Sequence, residues 1–121
     1  MGYMFQGAYT FDQYLSSWDI LAVAEMKYMF QYATAFNQDL SAWDTSTVTI
    51  MGGMLSHTTA FNQDISAWDT SAVINMGGML SHTTAFNSAV TNMGQHCPRV
   101  NPHRTIHIYR YTHQSIDIDR Y

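Results

Sequence analysis

Apolar positions in this chain recur every 25 residues. Met26, Met51 and Met76 are in register, as are Met29, Met54 and Met79, Phe11, Phe36, Phe61 and Phe86, and Trp18, Trp43 and Trp68. A constant spacing of this length marks one supersecondary unit stacked on copies of itself, not a domain around a single centre. Within a unit, Val48, Met51, Met54, Leu55 and Thr58 are separated by 3, 3, 1 and 3 residues, the pattern of one helical face. Asp44 and Ser46 stand just ahead of it, where a short oxygen-bearing side chain caps a first turn. The segment Asp39–Trp43 reads as a brief strand with Leu40 and Ala42 on one face. These patterns predict an α/β repeat solenoid of about four coils, with short parallel strands in a ladder flanked by short helices, and a poorly ordered C-terminal tail.

The copies differ in informative ways. Ala35–Thr59 and Ala60–Thr84 are unlike at only four of 25 positions: Leu40/Ile65, Thr47/Ala72, Thr49/Ile74 and Ile50/Asn75. Leu to Ile keeps an apolar core site, whereas Ile to Asn is acceptable only on a wet face. Such near-identity reads as a recent tandem duplication. At the other end of the array, Phe86-Asn87 runs directly into Ser88-Ala89-Val90, omitting the equivalent of Gln63–Thr70. The pattern stops after Met93-Gly94, and neither end resembles a polar cap, so a fragment or an imperfect gene model is expected. The repeat domain is therefore placed at 1–94, and a non-repeat, weakly packed or disordered tail at 95–121.

One local feature disagrees with a helix. Gly52-Gly53 recurs as Gly77-Gly78, and each glycine in a helix interior costs about 1 kcal/mol relative to alanine. Close packing between coils is the structural explanation. A hinge or a backbone ligand site is the functional alternative.

Each column carries two readings. The methionines serve as core filler or as a soft, promiscuous binding surface, and their spacing beside Phe and Leu favours core. The Phe and Trp columns build the core or line a sugar-stacking face, and stacking inside a repeat favours core. The column Asn37, Asn62 and Asn87, with Asp12 in the first copy, is expected to form an amide ladder satisfying turn carbonyls between coils. Asp19, Asp44 and Asp69 recur once per coil, as do Asp39 and Asp64. Stacked carboxylates repel unless N–H groups cap them or a cation bridges them, which makes Asp19/Asp44/Asp69 the candidate calcium column. Capping is favoured, because Asp44 directly precedes the expected helix.

Charge narrows the function class. The whole chain has 5 Lys and Arg against 9 Asp and Glu, a formal net charge of −4. Lys27 is the one basic residue up to Gly94, which argues against a nucleic-acid surface. A lone Cys97 excludes an internal disulfide framework. No apolar run approaches the roughly 18 residues of a membrane span. No basic-then-apolar opening marks a signal peptide, although a shortened N-terminus would lack one in any case. The tail from Gln95 holds four Arg, both prolines, and His96, His103, His107 and His113, and its ending resembles translated simple-sequence DNA. A zinc site on Cys97, His103 and His107 is weighed against Pro98 and Pro102, which disrupt the helix it needs. His57 and His82 lie in Ser-His-Thr-Thr turns read as exposed loops, and no nucleophile–base arrangement marks an active site.

The string running from Phe36 to Asp44, with Val48, Met51 and Met54, resembles the 25-residue repeat of the BspA-type leucine-rich-repeat surface proteins, also found in mycoplasma-type lipoproteins of unknown function. Met29-Phe30 keeps that repeat's Met-Phe pair, while Gly-Gly, Leu55 and Leu80 depart from it. The resemblance covers Met1 to Gly94 and implies a leucine-rich-repeat-like solenoid, secreted or displayed on a cell surface. It implies adhesion or protein binding and carries no catalytic residues. The expected function is thus a non-enzymatic binding array whose partner is a protein or cell-surface macromolecule. The alternative is a structural or vestigial fragment without its own activity. The expected binding face is Gln38, Asp39 and Ser41 with Gln63, Asp64 and Ser66, and no cofactor is assigned beyond the calcium column.

Overall fold

The computed structural model describes residues 1–86, together with the backbone of 108–110 and 116–118. The coils are joined by a ladder in which alternate N–H groups of one coil donate to carbonyls of the next. Met26, Tyr28, Phe30 and Tyr32 donate to Ile50, Gly52, Met54 and Ser56 at 2.8–3.0 Å. Met51, Gly53, Leu55 and His57 repeat the pattern onto Asn75, Gly77, Met79 and Ser81 at 2.8–2.9 Å. Tyr3, Phe5 and Gly7 do the same onto Lys27, Met29 and Gln31.

The intervening N–H groups stay within their own coil. Met29, Gln31 and Ala33 donate to Met26, Tyr28 and Phe30, each three residues back, closing a run of tight turns. A helix needs every interior N–H for its carbonyl four residues back, so a chain that sends every second N–H to a neighbour cannot form one. Between these turns the backbone enters the left-handed region at Tyr28 (φ 55) and Tyr32 (φ 61), and again at Gly53 (φ 62) and His57 (φ 58).

The expected α/β solenoid of strands and helices is therefore overturned. Among the described residues there is no helix, and within 1–86 the extended pairing is limited to isolated parallel bridges, Glu25 to Ile50 and Ile50 to Asn75. The leucine-rich-repeat-like strand-and-helix unit is absent with them. The positions read as one helical face do point inward: Val48, Met51, Met54, Leu55 and Thr58 are all fully buried. Successive turns of three and four residues present the same positions inward as a helix does, so the spacing identified the face and not the conformation. The expected strand Asp39–Trp43 is likewise a turn. Trp43 donates to the Leu40 carbonyl at 3.1 Å, Leu40 and Trp43 are buried, and Ala42 is exposed.

Side-chain columns fill the interior. Phe11, Phe36, Phe61 and Phe86 stack ring on ring, with neighbouring centroids 5.9–6.1 Å apart. Phe5 and Phe30 form a second short column beside them, which Leu55 and Leu80 continue as buried aliphatics. The methionines from Met26 to Met79 lie in the same core, as do Trp43 and Trp68. Each of these indoles also donates to the coil before it, Trp43 Nε1 to the Leu15 carbonyl at 2.9 Å and Trp68 Nε1 to that of Leu40 at 3.0 Å. The Phe, Met and inner Trp columns are thus core and not a sugar-stacking face.

The glycine pair now has a cause. Gly53 and Gly78 occupy one of the two left-handed positions in their coils, held in the earlier copies by Tyr3 and Tyr28. Glycine takes this conformation without steric cost. A Cβ on Gly53 would also land on the ring of Tyr28, so the site is closed by a neighbouring coil.

Outside the array, strand β1 (Ile108–Arg110) pairs antiparallel with β2 (Ile116–Ile118), placing Tyr109 opposite Asp117. The remainder of the expected weakly packed tail, the zinc candidates Cys97, His103 and His107, and Asn87 lie outside the described residues.

Candidate binding face

Polar side chains make a second set of ladders on the outside of the stack. Asp12 Oδ1 accepts from the backbone N–H of Asn37 at 2.9 Å, and Asn37 Oδ1 accepts from that of Asn62 at 2.8 Å. The expected amide ladder therefore exists, but its side-chain oxygens serve the next coil's N–H groups instead of turn carbonyls. Gln38 reinforces it by donating through Nε2 to Asp12 Oδ1 at 2.9 Å and to the Asp12 carbonyl at 3.3 Å. Gln63 repeats both contacts on Asn37 at 3.0 and 3.1 Å. Two members of the expected binding face, Gln38 and Gln63, are thus half-buried clamps between coils.

The other four members stand outward. Asp39 and Ser41 are exposed, and so are Asp64 and Ser66 in the next coil. Asp39 Oδ1 accepts from the Ser41 N–H at 2.8 Å and Asp64 Oδ1 from that of Ser66 at 2.9 Å, each closing a turn through a side chain. The second acidic column does the same: Asp19 holds Leu21, Asp44 holds Ser46, and Asp69 holds Ser71, at 2.9–3.0 Å. The carboxylates cap turns and not helix starts, because the described residues form no helix.

These bonds decide the electrostatics of the columns. The Ser41 backbone N–H, helped by its hydroxyl, holds Asp39 below the ordinary carboxylate range, against weaker opposition from desolvation and from Asp64 one coil on. The Ser46 hydroxyl and N–H lower Asp44 against desolvation and the charge of Asp69, and the Ser66 N–H and hydroxyl lower Asp64. Hydrogen bonding to the ionised form outweighs repulsion between stacked carboxylates. In the candidate calcium column each carboxylate accepts a turn-closing N–H, from Leu21, Ser46 and Ser71. Among the described residues, no three His, Cys, Asp or Glu side chains come together in a group that would hold a metal ion.

His57 and His82, expected as exposed loops, belong with Tyr32 to a third outer column. The two imidazoles stack with centroids 4.2 Å apart, and the Tyr32 ring lies tilted against His57 at 4.5 Å. Ser56 Oγ lies 2.9 Å from His57 Nδ1 and Ser81 Oγ 2.8 Å from His82 Nδ1, so each hydroxyl sets the rotation of its neighbour's ring. Recurrence of Ser-His at the repeat interval was the available signal. Burial, then the proximity of His82, pushes the His57 imidazole below its ordinary pKa.

Among the described residues, no helix is long and apolar enough to cross a membrane. No curated protein and no solved structure matches the chain. The family model described as Mycoplasma protein of unknown function, DUF285, matches residues 1–94, and the chain belongs to that family.

Proposed function

We propose that the array is a non-enzymatic binding module, secreted or displayed on a cell surface, and of the BspA-type kind within its family. The observation that supports this reading is the exposed pair Asp39/Ser41 and its translated copy Asp64/Ser66, each held rigid by a side-chain-closed turn. A polar group fixed in place and repeated once per coil multiplies one weak contact. Linked sites of this kind raise avidity by about 10²–10⁴ over a single contact. The partner is a macromolecule long enough to touch successive coils, a protein or a cell-surface polymer.

Binding of the labelled chain to immobilised proteins and polysaccharides tests the reading. Deleting Ala60–Thr84 leaves the remaining coils in register and should weaken binding without abolishing it. Binding unchanged by that deletion but lost with removal of 95–121 would place the activity in the tail. A hydrolytic or transfer activity lost through one point substitution would overturn the non-enzymatic reading.

The second reading, a structural or vestigial array, rests on Thr70. Its buried hydroxyl has no hydrogen-bond partner among the described residues, whereas Thr45 in the same column donates to the Asp69 carbonyl at 3.0 Å. The segment that would supply Thr70 with the equivalent carbonyl is the one omitted after Asn87. A coil that omits this segment, with a buried donor that has no described acceptor, is what relaxed selection would leave. Failure of the chain to bind any of the immobilised probes would favour it.

A further inference from the structure

The Ser-His-Thr-Thr turns set two imidazoles side by side on the outer wall of the stack. The ring centroids of His57 and His82 are 4.2 Å apart, and His57 is half-buried while His82 is exposed. The backbones that carry them are tied together, since the His57 N–H donates to the Ser81 carbonyl at 2.8 Å. In each ring the preceding serine engages Nδ1, Ser56 Oγ at 2.9 Å and Ser81 Oγ at 2.8 Å. Neither Nε2 has a hydrogen-bond partner among the described residues. One coil translation relates both rings and both serines, so the two Nε2 atoms lie on the same side of the column, at close to the ring separation.

We propose that His57 and His82 together bind a late first-row divalent cation, Cu²⁺, Ni²⁺ or Zn²⁺, through their Nε2 atoms, with Ser56 and Ser81 fixing the ligating tautomer. Imidazole nitrogen suits these ions, whereas Ca²⁺ and Mg²⁺ take oxygen. A ligating histidine normally donates its other ring N–H to an oxygen, and each serine Oγ stands where that acceptor is required. Desolvation first and His82 second hold the His57 imidazole below its ordinary pKa, which keeps it in the neutral form that can ligate. Lys27 is the one Lys or Arg up to Gly94, so the field of the array favours a cation. Two bonds of about 2.0–2.1 Å to one ion require the nitrogens to be roughly 3 Å apart. The rings therefore lean toward each other from the parallel stack. His82 is exposed and has room to turn, while Tyr32 backs the other side of His57 at 4.5 Å. With no third His, Cys, Asp or Glu gathered there among the described residues, water fills the remaining positions. A bound ion clamps one coil to the next.

Titration of the full chain with Zn²⁺, followed through the imidazole ¹⁵N resonances, tests the proposal. The Nε2 signals of His57 and His82 should shift together with one midpoint. His82→Gln should raise the His57 midpoint by about tenfold or more, and His57→Gln that of His82, because the second bond to a held ion is intramolecular. Ser81→Ala keeps both ligands and should raise the shared midpoint by about 10–100-fold. It also tests the site if His57→Gln disturbs the fold. Joint replacement Cys97→Ser, His103→Gln and His107→Gln should leave the shared midpoint in place. Separate midpoints for the two rings, a response confined to the tail histidines, a midpoint unchanged by His82→Gln or by Ser81→Ala, or loss of the response with the tail replacements would overturn the proposal.

Discussion

His57 and His82 stack with ring centroids 4.2 Å apart and planes 13° from parallel, one coil above the other. Tyr32 covers the other side of His57 and Ser56 Oγ contacts its Nδ1, so the imidazole is held where a second positive charge is unwelcome. Its pKa in the folded chain lies below the ordinary 6.5, through desolvation first and His82 second. The unfolded chain then takes up the proton before the folded one. Stability is complete above the unfolded value of 6.5 and falls as the pH drops from there toward the folded pKa. The urea midpoint should decline as the pH falls below the ordinary histidine value of 6.5, and His82→Gln should shallow that decline. Identical slopes in the two proteins would show that the stack does not control the titration. Asp39, Asp44 and Asp64 act in a separate window, since their lowered pKa values withdraw stability only below the usual carboxylate value of 3.8.

Gly53 and Gly77 offer a test of the turn geometry. Gly53 has φ 62 and lies under the Tyr28 ring, whereas a Cβ on Gly77 would meet only Asn75 Oδ1 at an ordinary 3.5 Å. Gly53→Ala should therefore lower stability by about 1–3 kcal/mol or more, from left-handed strain and the displaced ring. Gly77→Ala should stay within about 0.5 kcal/mol of the parent. Denaturant unfolding of the two variants measures the difference, and equal losses would argue for the helix that the glycine pair interrupts.

The columns legible in the chain were those whose burial follows from the repeat interval alone. Phe36, Met51, Met54 and Trp43 are inward because identical residues recur at a constant translation, whatever backbone carries them. The exchange of Leu40 for Ile65 is a core exchange, and Asn75 is exposed, as its wet-face assignment requires. The backbone was not legible, since turns of three and four residues share the apolar spacing of a helix. The decisive features were non-glycine left-handed residues, Tyr28, Tyr32, His57 and His82, a conformation uncommon outside glycine and, for the two tyrosines, favoured by no propensity. Gln38 and Gln63 read as surface residues because their partners, Asp12 and Asn37, lie a full coil away. The outward Asp39 and Asp64 were legible as a repeated acidic column, but their turn-closing role depended on the conformation that the spacing misassigned.

Trp18, Trp43 and Trp68 share a column and differ in cover. Trp43 is 3 % exposed and bonded to the Leu15 carbonyl, whereas Trp18 is 38 % exposed. Trp43→Ala should cost about 3–5 kcal/mol, and Trp18→Ala distinctly less, because less apolar surface and no inter-coil bond to a described residue are lost. Thermal unfolding ranks the two. A larger loss at Trp18 would mean that the first coil is covered in solution by contacts beyond those of residues 1–86.

Thr45 and Thr70 isolate the worth of one inter-coil hydrogen bond. Both are 1 % exposed, in successive coils and the same column, yet Thr45 Oγ1 donates to the Asp69 carbonyl at 3.0 Å and Thr70 Oγ1 has no described acceptor. Thr45→Val removes the donor and leaves the Asp69 carbonyl short of a bond, at a cost of about 1–2 kcal/mol. Thr70→Val replaces a buried, unpartnered hydroxyl with a methyl group of the same size. Burying such a hydroxyl costs about 1–3 kcal/mol, so the substitution should leave stability unchanged or raise it by about 1 kcal/mol. Urea unfolding of the two valine variants is the measurement, read as a difference so that the shared change in side-chain chemistry cancels. Equal destabilisation at both sites would show that Thr70 does have an acceptor, supplied by the chain beyond Phe86, and would remove the support that its idle hydroxyl lends to the vestigial reading.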